Sequence, residues 1–458
     1  MKKMMEKQSS SVNHRDLVLG MLMEIYGQRE FSHILLSQVL DKYDYLPGNE
    51  KAFIKRLTEG TVERTLELDY IINHYSKVKV RKMKPLIRAL LRMSVYQLLY
   101  MDNVPDRAVC NEAVKLAAAH KFTSLKGFVN GVLRNIARQK GEIPFPDRKK
   151  EPLEYLSIKY SMPIWLIEHF QSLYGEEITE GLLEAFLRER PVTIRVKEEL
   201  TDRELEKLKN SWIQQKISVS PHPYLSYAYT CEKLEGLSNM AGFQEGMIAV
   251  QDVSSMLAAQ VAGIQKGMNI LDVCAAPGGK AIHAALKLMG TGQVLARDIS
   301  SYKTALIEEN AQRQKIANLQ TQIWDATCPD QEKEEWADIL FCDLPCSGLG
   351  IMGRKRDIKY RLTPAALEEM VLLQQKILTA VGPCVKPGGV MVYSTCTINE
   401  GENQKQVQWI TENLPFEVEE MKDYLPEPLK EAEGPWGLQL LPGIHETDGF
   451  FLAKLRRR

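Results

Sequence analysis

From residue 247 onward, short apolar runs alternate with amphipathic stretches, and this beat restricts the fold more than any other feature of the chain. NILDVC, QVLARDI, LQTQIW, DILFCDL and GGVMVYST are each six to eight residues long, the length of buried strands and too short for buried helices. The stretches beginning near 278, 302, 364 and 401 carry apolar residues at the three- and four-residue spacing of helices. Parallel strands need crossovers of a dozen or more residues, which helices supply, so the spacing predicts a parallel sheet covered on both faces. The final GIHETDGFFLAKL predicts a closing antiparallel hairpin. Open sheets of this kind take ligands at the carboxyl ends of their strands, so function is to be sought there.

Those ends are rich in chemistry. LDVCAAPGGK, residues 271–280, runs from a strand through a turn of small residues into a helix, so Cys274, Ala275, Ala276, Pro277, Gly278, Gly279 and Lys280 form a loop whose backbone can approach a ligand closely. Its spacing is neither G-x-G-x-x-G nor G-x-x-x-x-G-K-[ST], which disfavours a dinucleotide or a P-loop. Asp298 ends the next strand about twenty residues on, where an acid can take ribose hydroxyls. Asp325 and Asp343 end the following two. One acid at a strand end is ordinarily a helix cap, but three after a glycine loop fit a ligand with ribose, amine and base edges. Two thiols, Cys346 in DLPCSGLG and Cys396 in YSTCTI, follow two of the strands.

The front of the chain is different. Segments such as DLVLGMLMEIY, KPLIRALLRMSVYQLLYM and LKGFVNGVLRNIAR are helical in pattern with hardly any strand signal, which predicts an all-α domain over 9–140. GEIPFPDRKKEP, 141–152, reads as a linker. Residues 153–235 alternate helical and period-two patterns, predicting a small α+β domain, and 236–458 is the α/β domain. Residues 1–150 hold 27 Lys and Arg against 16 Asp and Glu, although the whole chain holds 59 of each, so a neutral total hides a basic front suited to a polyanion. Eight sparse cysteines with no C-x-x-C pair argue against a disulfide scaffold or a zinc site, and no metal is expected. The basic start MKKMMEKQSS has no apolar run behind it, and no eighteen apolar residues occur together, so a cytoplasmic protein without a membrane partner is expected.

LDVCAAPGGK, DLPCSGLG and YSTCTI, in that order, resemble the signature of the NOL/NOP/Sun family of S-adenosylmethionine-dependent RNA cytosine-5 methyltransferases. QDVSSM before the first strand and TDGFF near the end are similar to that family too, so the likeness runs from about 150 to 458. Through LLRMSVYQLLY, NEAVKLA and FVNGVLR the front resembles NusB, an RNA-binding antitermination factor. The resemblance implies a NusB-like domain fused to a Rossmann-like methyltransferase acting on a cytosine of small-subunit (16S) ribosomal RNA, naked or in an early assembly particle. It implies S-adenosyl-L-methionine as cofactor, with the loop Cys274 to Lys280 holding its methionine part, Asp298 its ribose, Asp325 its adenine edge, and Asp343 facing both cofactor and cytosine. Cys396 would be the nucleophile and Cys346 the group that helps release product. The chain departs from the pattern at Leu344, where Ala is usual, at Arg297 before the ribose acid, and at Lys197 after RV, where the family often has Asn.

The chemistry explains the residue types. Carbon 5 of cytosine attacks a methylsulfonium only after a thiolate has added to carbon 6, and a carboxyl that donates to ring nitrogen 3, here Asp343, lowers that barrier. Chemistry alone leaves open which thiol attacks: DNA cytosine-5 methyltransferases use a thiol preceded by proline, which would be Cys346, whereas the family likeness favours Cys396. The target base must be unpaired or flipped out. GRKRDIKYR, 353–361, offers Arg354, Lys355, Arg356, Lys359 and Arg361 for RNA with Tyr360 for stacking, and KVKVRKMKPLIRALLR, 77–92, offers seven basic residues to phosphates. Methylation of tRNA or another ribosomal site is the alternative substrate, and a non-catalytic NusB-like assembly factor the alternative function. A monomer is expected.

Overall fold

The computed structural model describes residues 12–232 and 236–458. The basic start MKKMMEKQSS and the first residues of the predicted front domain, 9–11, lie outside the described residues, as do 233–235, where one predicted domain boundary falls. The chain forms two compact units, one from residues up to Leu187 together with Met352–Arg361, the other from Arg188–Ile351 and Leu362–Arg458.

The first unit is helical. Its central helix, Pro85–Tyr100, starts with proline at the first turn, where no amide hydrogen is needed, and is buried at eleven positions around its circumference. Helices His14–Tyr26, Gly48–Glu63, Thr65–Tyr75, Asp106–Ala119 and Lys126–Gln139 pack round it. The polar residues on this buried helix are all satisfied. Arg92 makes two 2.6 Å bonds to Asp69 and lies 4.4 Å from the Tyr26 ring, while Gln97 accepts from Arg15 Nε at 2.7 Å. Gly60 is required because a Cβ there would fall 2.0 Å from Cζ of Tyr96.

Three corrections to the predicted domains follow. Helices Pro152–Tyr160 and Ile164–Leu187 belong to this first unit and not to the small α+β domain, because Ser161, fully buried between them, accepts from the Leu66 amide at 2.9 Å and caps helix Thr65–Tyr75. The α+β domain also extends past 235. Strands β1 (Val192–Val196), β2 (Ser218–Pro221), β3 (Ala228–Glu232) and β4 (Ile248–Val250) form an antiparallel sheet in the order β2-β3-β1-β4, with helix Asp202–Gln214 on one face. Trp212 of that helix is buried against this sheet, and Thr201 and Glu204 close a capping box at its start. Finally, residues 352–361 leave the α/β domain and join the helices.

The α/β domain is built on nine strands. β5 (Asn269–Asp272), β6 (Gln293–Asp298), β7 (Leu319–Ile323), β8 (Ala337–Asp343) and β9 (Val385–Thr395) are parallel in the order β9-β8-β5-β6-β7. β10 (Phe416–Glu419) and β12 (Gly437–Leu440) pair antiparallel with β13 (Phe450–Arg457), which in turn runs antiparallel to β9, and the short β11 (Glu433–Gly434) pairs with β12. The predicted closing hairpin exists, but its partner strand is β12, and GIHETDG forms the connection. Successive residues along each central strand feed opposite layers. Ile270, Ile339, Phe341, Val390 and Val392 pack into one core, and Leu271, Leu340, Cys342, Met391 and Tyr393 into the other. Strand order reverses between β5 and β8, the position where an open sheet leaves a crevice at its carboxyl edge. Among the described residues no helix is long and apolar enough to cross a membrane.

Candidate active site

The two thiols meet because their strands are neighbours. β8 and β9 pair with Asp343 opposite Ser394, so the chain leaving each strand emerges beside the other, and Cys346 Sγ lies 3.3 Å from Cys396 Sγ. The Cys396 carbonyl accepts from the Gly350 amide at 3.1 Å, closing one loop on the other. Gly350 lies against Gly449, whose carbonyl would be 2.0 Å from a Cβ at position 350, so the turn after Cys346 admits no side chain there. The Cys346 thiol is held well above its ordinary range, first by its contact with Cys396, then by burial and by the charges of Cys396, Glu402 and Asp343.

Across the crevice, Lys280 in the first turn of helix Gly279–Lys287 extends its ammonium to 2.6 Å from Asp343 Oδ2, and Ser394 Oγ donates to Asp343 Oδ1 at 2.9 Å. The Lys280 side chain is only 10% exposed, and its ammonium lies 5.3 Å from the centre of the Phe450 ring. Asp343 therefore presents a carboxylate already engaged by a cation.

Asp272, at the end of β5, is the residue that sequence reading passed over. It is 1% exposed, and neither carboxylate oxygen is hydrogen-bonded among the described residues; the Cys274 amide approaches without completing a bond. Burial, then the charge of Asp343, pushes its carboxyl up to about 7, with Lys280 pulling the other way. Its only signal in the sequence is an acid closing the first strand, a place that helix caps also occupy.

The loop Cys274 to Lys280 is rigid. The Ala275 amide donates to the Arg297 carbonyl at 2.8 Å, the Ala276 amide to Asp298 Oδ2 at 3.0 Å, and the Gly278 amide to the Ala275 carbonyl at 2.7 Å. Gly278 has φ +104°, and a Cβ there would press on Ile282 and Ile307 at 3.1–3.2 Å. Gly279 lies over the Gln251 side chain, and Pro277 is exposed beyond a cis peptide bond from Ala276. Burial and the neighbouring carboxylates hold the Cys274 thiol well up.

Asp298 is brought to this loop from β6. It is 4% exposed, its carboxylate also accepts from the Ile299 amide at 2.8 Å, and Lys303 Nζ stands 3.0 Å away. Asp325 stands apart from these contacts, exposed in a turn where its carboxylate accepts from the Thr327 amide and hydroxyl at 2.9 and 2.8 Å; these bonds hold it below the usual carboxylate range. Among the departures from the family pattern, Arg297 bonds Gln322 and Asp330, Leu344 is buried in the core, and Lys197 donates to the Gln314 carbonyl at 2.7 Å.

The predicted RNA segment 353–361 needs correction. Arg356 pairs with Glu63 at 2.9 Å, Arg361 pairs with Asp357 at 2.9 Å and bonds the Glu30 carbonyl, and Asp357 accepts from the Ser32 amide and hydroxyl at 3.1 and 2.6 Å. Lys359 is 3% exposed, and burial pushes its ammonium down to about 7. The Tyr360 hydroxyl donates to the Glu63 carbonyl at 2.7 Å, which ties the ring to the helical unit. Three of the five cations thus anchor the segment within the helical unit. Arg354 is exposed and Lys355 half-exposed. Of the other basic stretch, Arg92 is buried, whereas Lys77, Lys79, Arg81, Lys82 and Lys84 are exposed around the short turn Val80–Lys82.

Comparison with known proteins agrees along the whole chain. The NusB family matches residues 12–138, and the 16S rRNA methyltransferase RsmB/F family matches residues 259–456. A Bacillus subtilis protein named probable ribosomal RNA small subunit methyltransferase B is 33% identical over 97% of this chain and 98% of its own. A Cronobacter sakazakii protein named ribosomal RNA small subunit methyltransferase B is 29% identical over 98% of this chain and 99% of its own. The crystal structure of PH0851 shares the fold with a TM-score of 0.81 at 24% identity, covering 98% of this chain and 99% of that one. The chain, a NusB domain leading into a methyltransferase domain, belongs to the ribosomal RNA small subunit methyltransferase B family.

Proposed function

We propose that this protein moves the methyl group of S-adenosyl-L-methionine to carbon 5 of a cytosine in small-subunit (16S) ribosomal RNA, through a covalent bond between Cys396 and carbon 6 of the base. The observation that carries the reading is the 3.3 Å approach of two thiols at the carboxyl ends of adjacent strands, beside the Lys280–Asp343 pair. The relatives' names supply the substrate class.

The residues fit the cofactor. Asp272 offers two buried acceptor oxygens that the Cys274 amide approaches without a full hydrogen bond, and the small side chains of the loop from Ala275 to Gly279 leave its surface open to close approach. Asp272 would take the amino group of the methionine part, Asp298 the ribose and Asp325 the adenine edge. When bound, the cofactor supplies an electrophilic methyl group on a sulfonium.

The chain's own residues do the rest. Cys396, in the motif whose likeness marks it as the nucleophile, is the sulfur that attacks carbon 6, while Cys346, 3.3 Å away and held high by that contact, keeps its proton. The Lys280 ammonium donates toward ring nitrogen 3 or the adjacent oxygen, where charge develops, and Asp343 accepts from the exocyclic amine. Once Cys396 is bonded to carbon, it no longer carries the charge that held the Cys346 proton in place, and Cys346 can ionise, its proton passing to solvent. Its thiolate takes the carbon 5 proton. The electrons of that C–H bond form the ring double bond as the C–S bond breaks and returns its pair to Cys396. In the helical unit the exposed cations at 77–84 would track phosphates, and the exposed Arg354 and half-exposed Lys355 would join them.

The test is transfer of radiolabelled methyl to unmodified small-subunit ribosomal RNA, with transfer RNA alongside, followed by nucleoside analysis. Label as 5-methylcytidine in ribosomal RNA is expected. No label despite measurable binding of S-adenosyl-L-methionine would overturn the reading for naked RNA, and label only in transfer RNA would overturn the substrate.

A further inference from the structure

Glu402 closes the short turn Glu400–Glu402 beyond the Cys396 loop and is fully buried. A carboxylate in such a place is costly unless its oxygens are met by donors. Here Oε1 accepts from Ser347 Oγ at 2.5 Å and from Asn399 Nδ2 at 2.9 Å, and Oε2 accepts from the Ser347 amide at 2.8 Å and from Gln374 Nε2 at 3.3 Å. All four donors are neutral.

Their positions in the chain are what matter. Ser347 directly follows Cys346, and Gln374 also donates to the carbonyl of Pro345, which directly precedes it, at 2.9 Å. The Cys346 loop is therefore held on both sides of the thiol. Asn399 lies three residues beyond Cys396, and the Tyr393 hydroxyl donates to the Glu402 carbonyl at 2.6 Å, which fixes the turn to β9 itself. The Glu402 carboxylate thus joins the loops of both cysteines to helix Pro364–Val381, and its backbone carbonyl joins them to the strand.

We propose that Glu402 is a positioning residue that holds Cys346 within reach of Cys396 and of the substrate ring, so that release of the methylated base depends on it more than attack does. The inference rests on the assignment of release to Cys346. The charge of Glu402 also contributes to raising the Cys346 thiol, which keeps the conjugate thiolate a strong base for the carbon 5 proton.

Glu402→Gln preserves volume but turns an NH2 group toward donors that need an acceptor. It should bind S-adenosyl-L-methionine within about twofold of the unaltered protein, form the RNA adduct at near-normal rate, and release product at least about tenfold more slowly, so that adduct accumulates on a denaturing gel. Cys346→Ala, run in parallel, separates the two claims. If that variant leaves no adduct, the release role of Cys346 is wrong and the inference falls with it. If it accumulates adduct while Glu402→Gln turns over normally, the release role stands and the positioning role is refuted. Should Glu402→Gln lose cofactor binding through misfolding, Ser347→Ala decides, because it removes one of the four bonds and leaves the carboxylate three. Adduct above the unaltered level supports the proposal, and none overturns it.

Discussion

Lys280→Met tests the electrostatics of the crevice most directly, because Met occupies similar space and removes only the ammonium. Breaking a fully buried pair costs about 3–5 kcal/mol. The Asp343 side chain is 30% exposed and partly rehydrated, so a stability loss of roughly 1–3 kcal/mol is the discounted expectation, or about 3–8 °C in the melting of this domain. Asp272 makes the loss depend on pH. Its folded-state carboxyl, raised to about 7, lies above its ordinary value of 3.8, so the native domain holds a proton there that the unfolded chain releases between about pH 4 and 7. The associated stability is full at low pH and is lost as pH rises through 7. Without Lys280 the repulsion between ionised Asp272 and Asp343 loses its opposing charge, so the variant should lose more at pH 8 than at pH 5. In single-turnover methyl transfer with labelled cofactor, loss of a donor aimed at developing charge should lower the rate about 10²–10³-fold. Transfer within threefold of normal, together with an equal melting shift at both pH values, would refute this account of the pair.

Other expectations follow from the same geometry. Lys359→Met should stabilise the helical unit at pH 7 by roughly 1–3 kcal/mol in denaturant unfolding, since Glu63 keeps Arg356 as partner. The Lys359 folded-state value of about 7 lies below the ordinary 10.5, so stability should rise from pH 7 to about 10.5 in the unaltered protein and rise less in the variant; a destabilised variant would sink the argument. Treatment with diamide should join Cys346 to Cys396, with loss of two hydrogens by mass, loss of methyl transfer and recovery in dithiothreitol, because their sulfurs are already 3.3 Å apart; reversible inactivation that persists in Cys346→Ala would place the sensitive thiol elsewhere. Replacing Lys79, Arg81 and Lys82 by Glu should weaken RNA binding and lower the slope of log affinity against log salt by about one for each phosphate no longer neutralised, without changing cofactor binding. An unchanged slope would remove this turn from the RNA surface.

The parallel sheet and its functional edge were legible because both follow from local pattern. Strand length, helical spacing and the return of acids and thiols at strand ends are properties of contiguous residues, and the register that sets Asp343 opposite Ser394 turns that pattern into the meeting of Cys346 with Cys396. The domain boundary near 153 was not legible in the same way. Nothing local in helix Pro152–Tyr160 says which core it joins; the deciding bond is that of Ser161 with the Leu66 amide, ninety-five residues away.

Charge is the least local property of all, and the two basic stretches show why. In KVKVRKMKPLIRALLR the cations up to Lys84 lie round a turn and before a helix, where a side chain leaves the surface unhindered, while Arg92, two turns into the helix, meets Asp69 inside the core. In GRKRDIKYR the cations look equally available, yet Glu63, 293 residues before Arg356, takes that guanidinium, and Asp357 holds Arg361 within the segment itself. A cation can recruit phosphate only where the fold brings no carboxylate to it first, and the partner's approach depends on tertiary packing that a basic run does not encode. The same argument separates Lys280 from the other cations of the sequence. Its partner Asp343 stands at the carboxyl edge of the sheet and is partly open to solvent, so a ligand entering there can compete for the pair, whereas Lys359 is buried among the helices and Arg356 is half-buried beside Glu63.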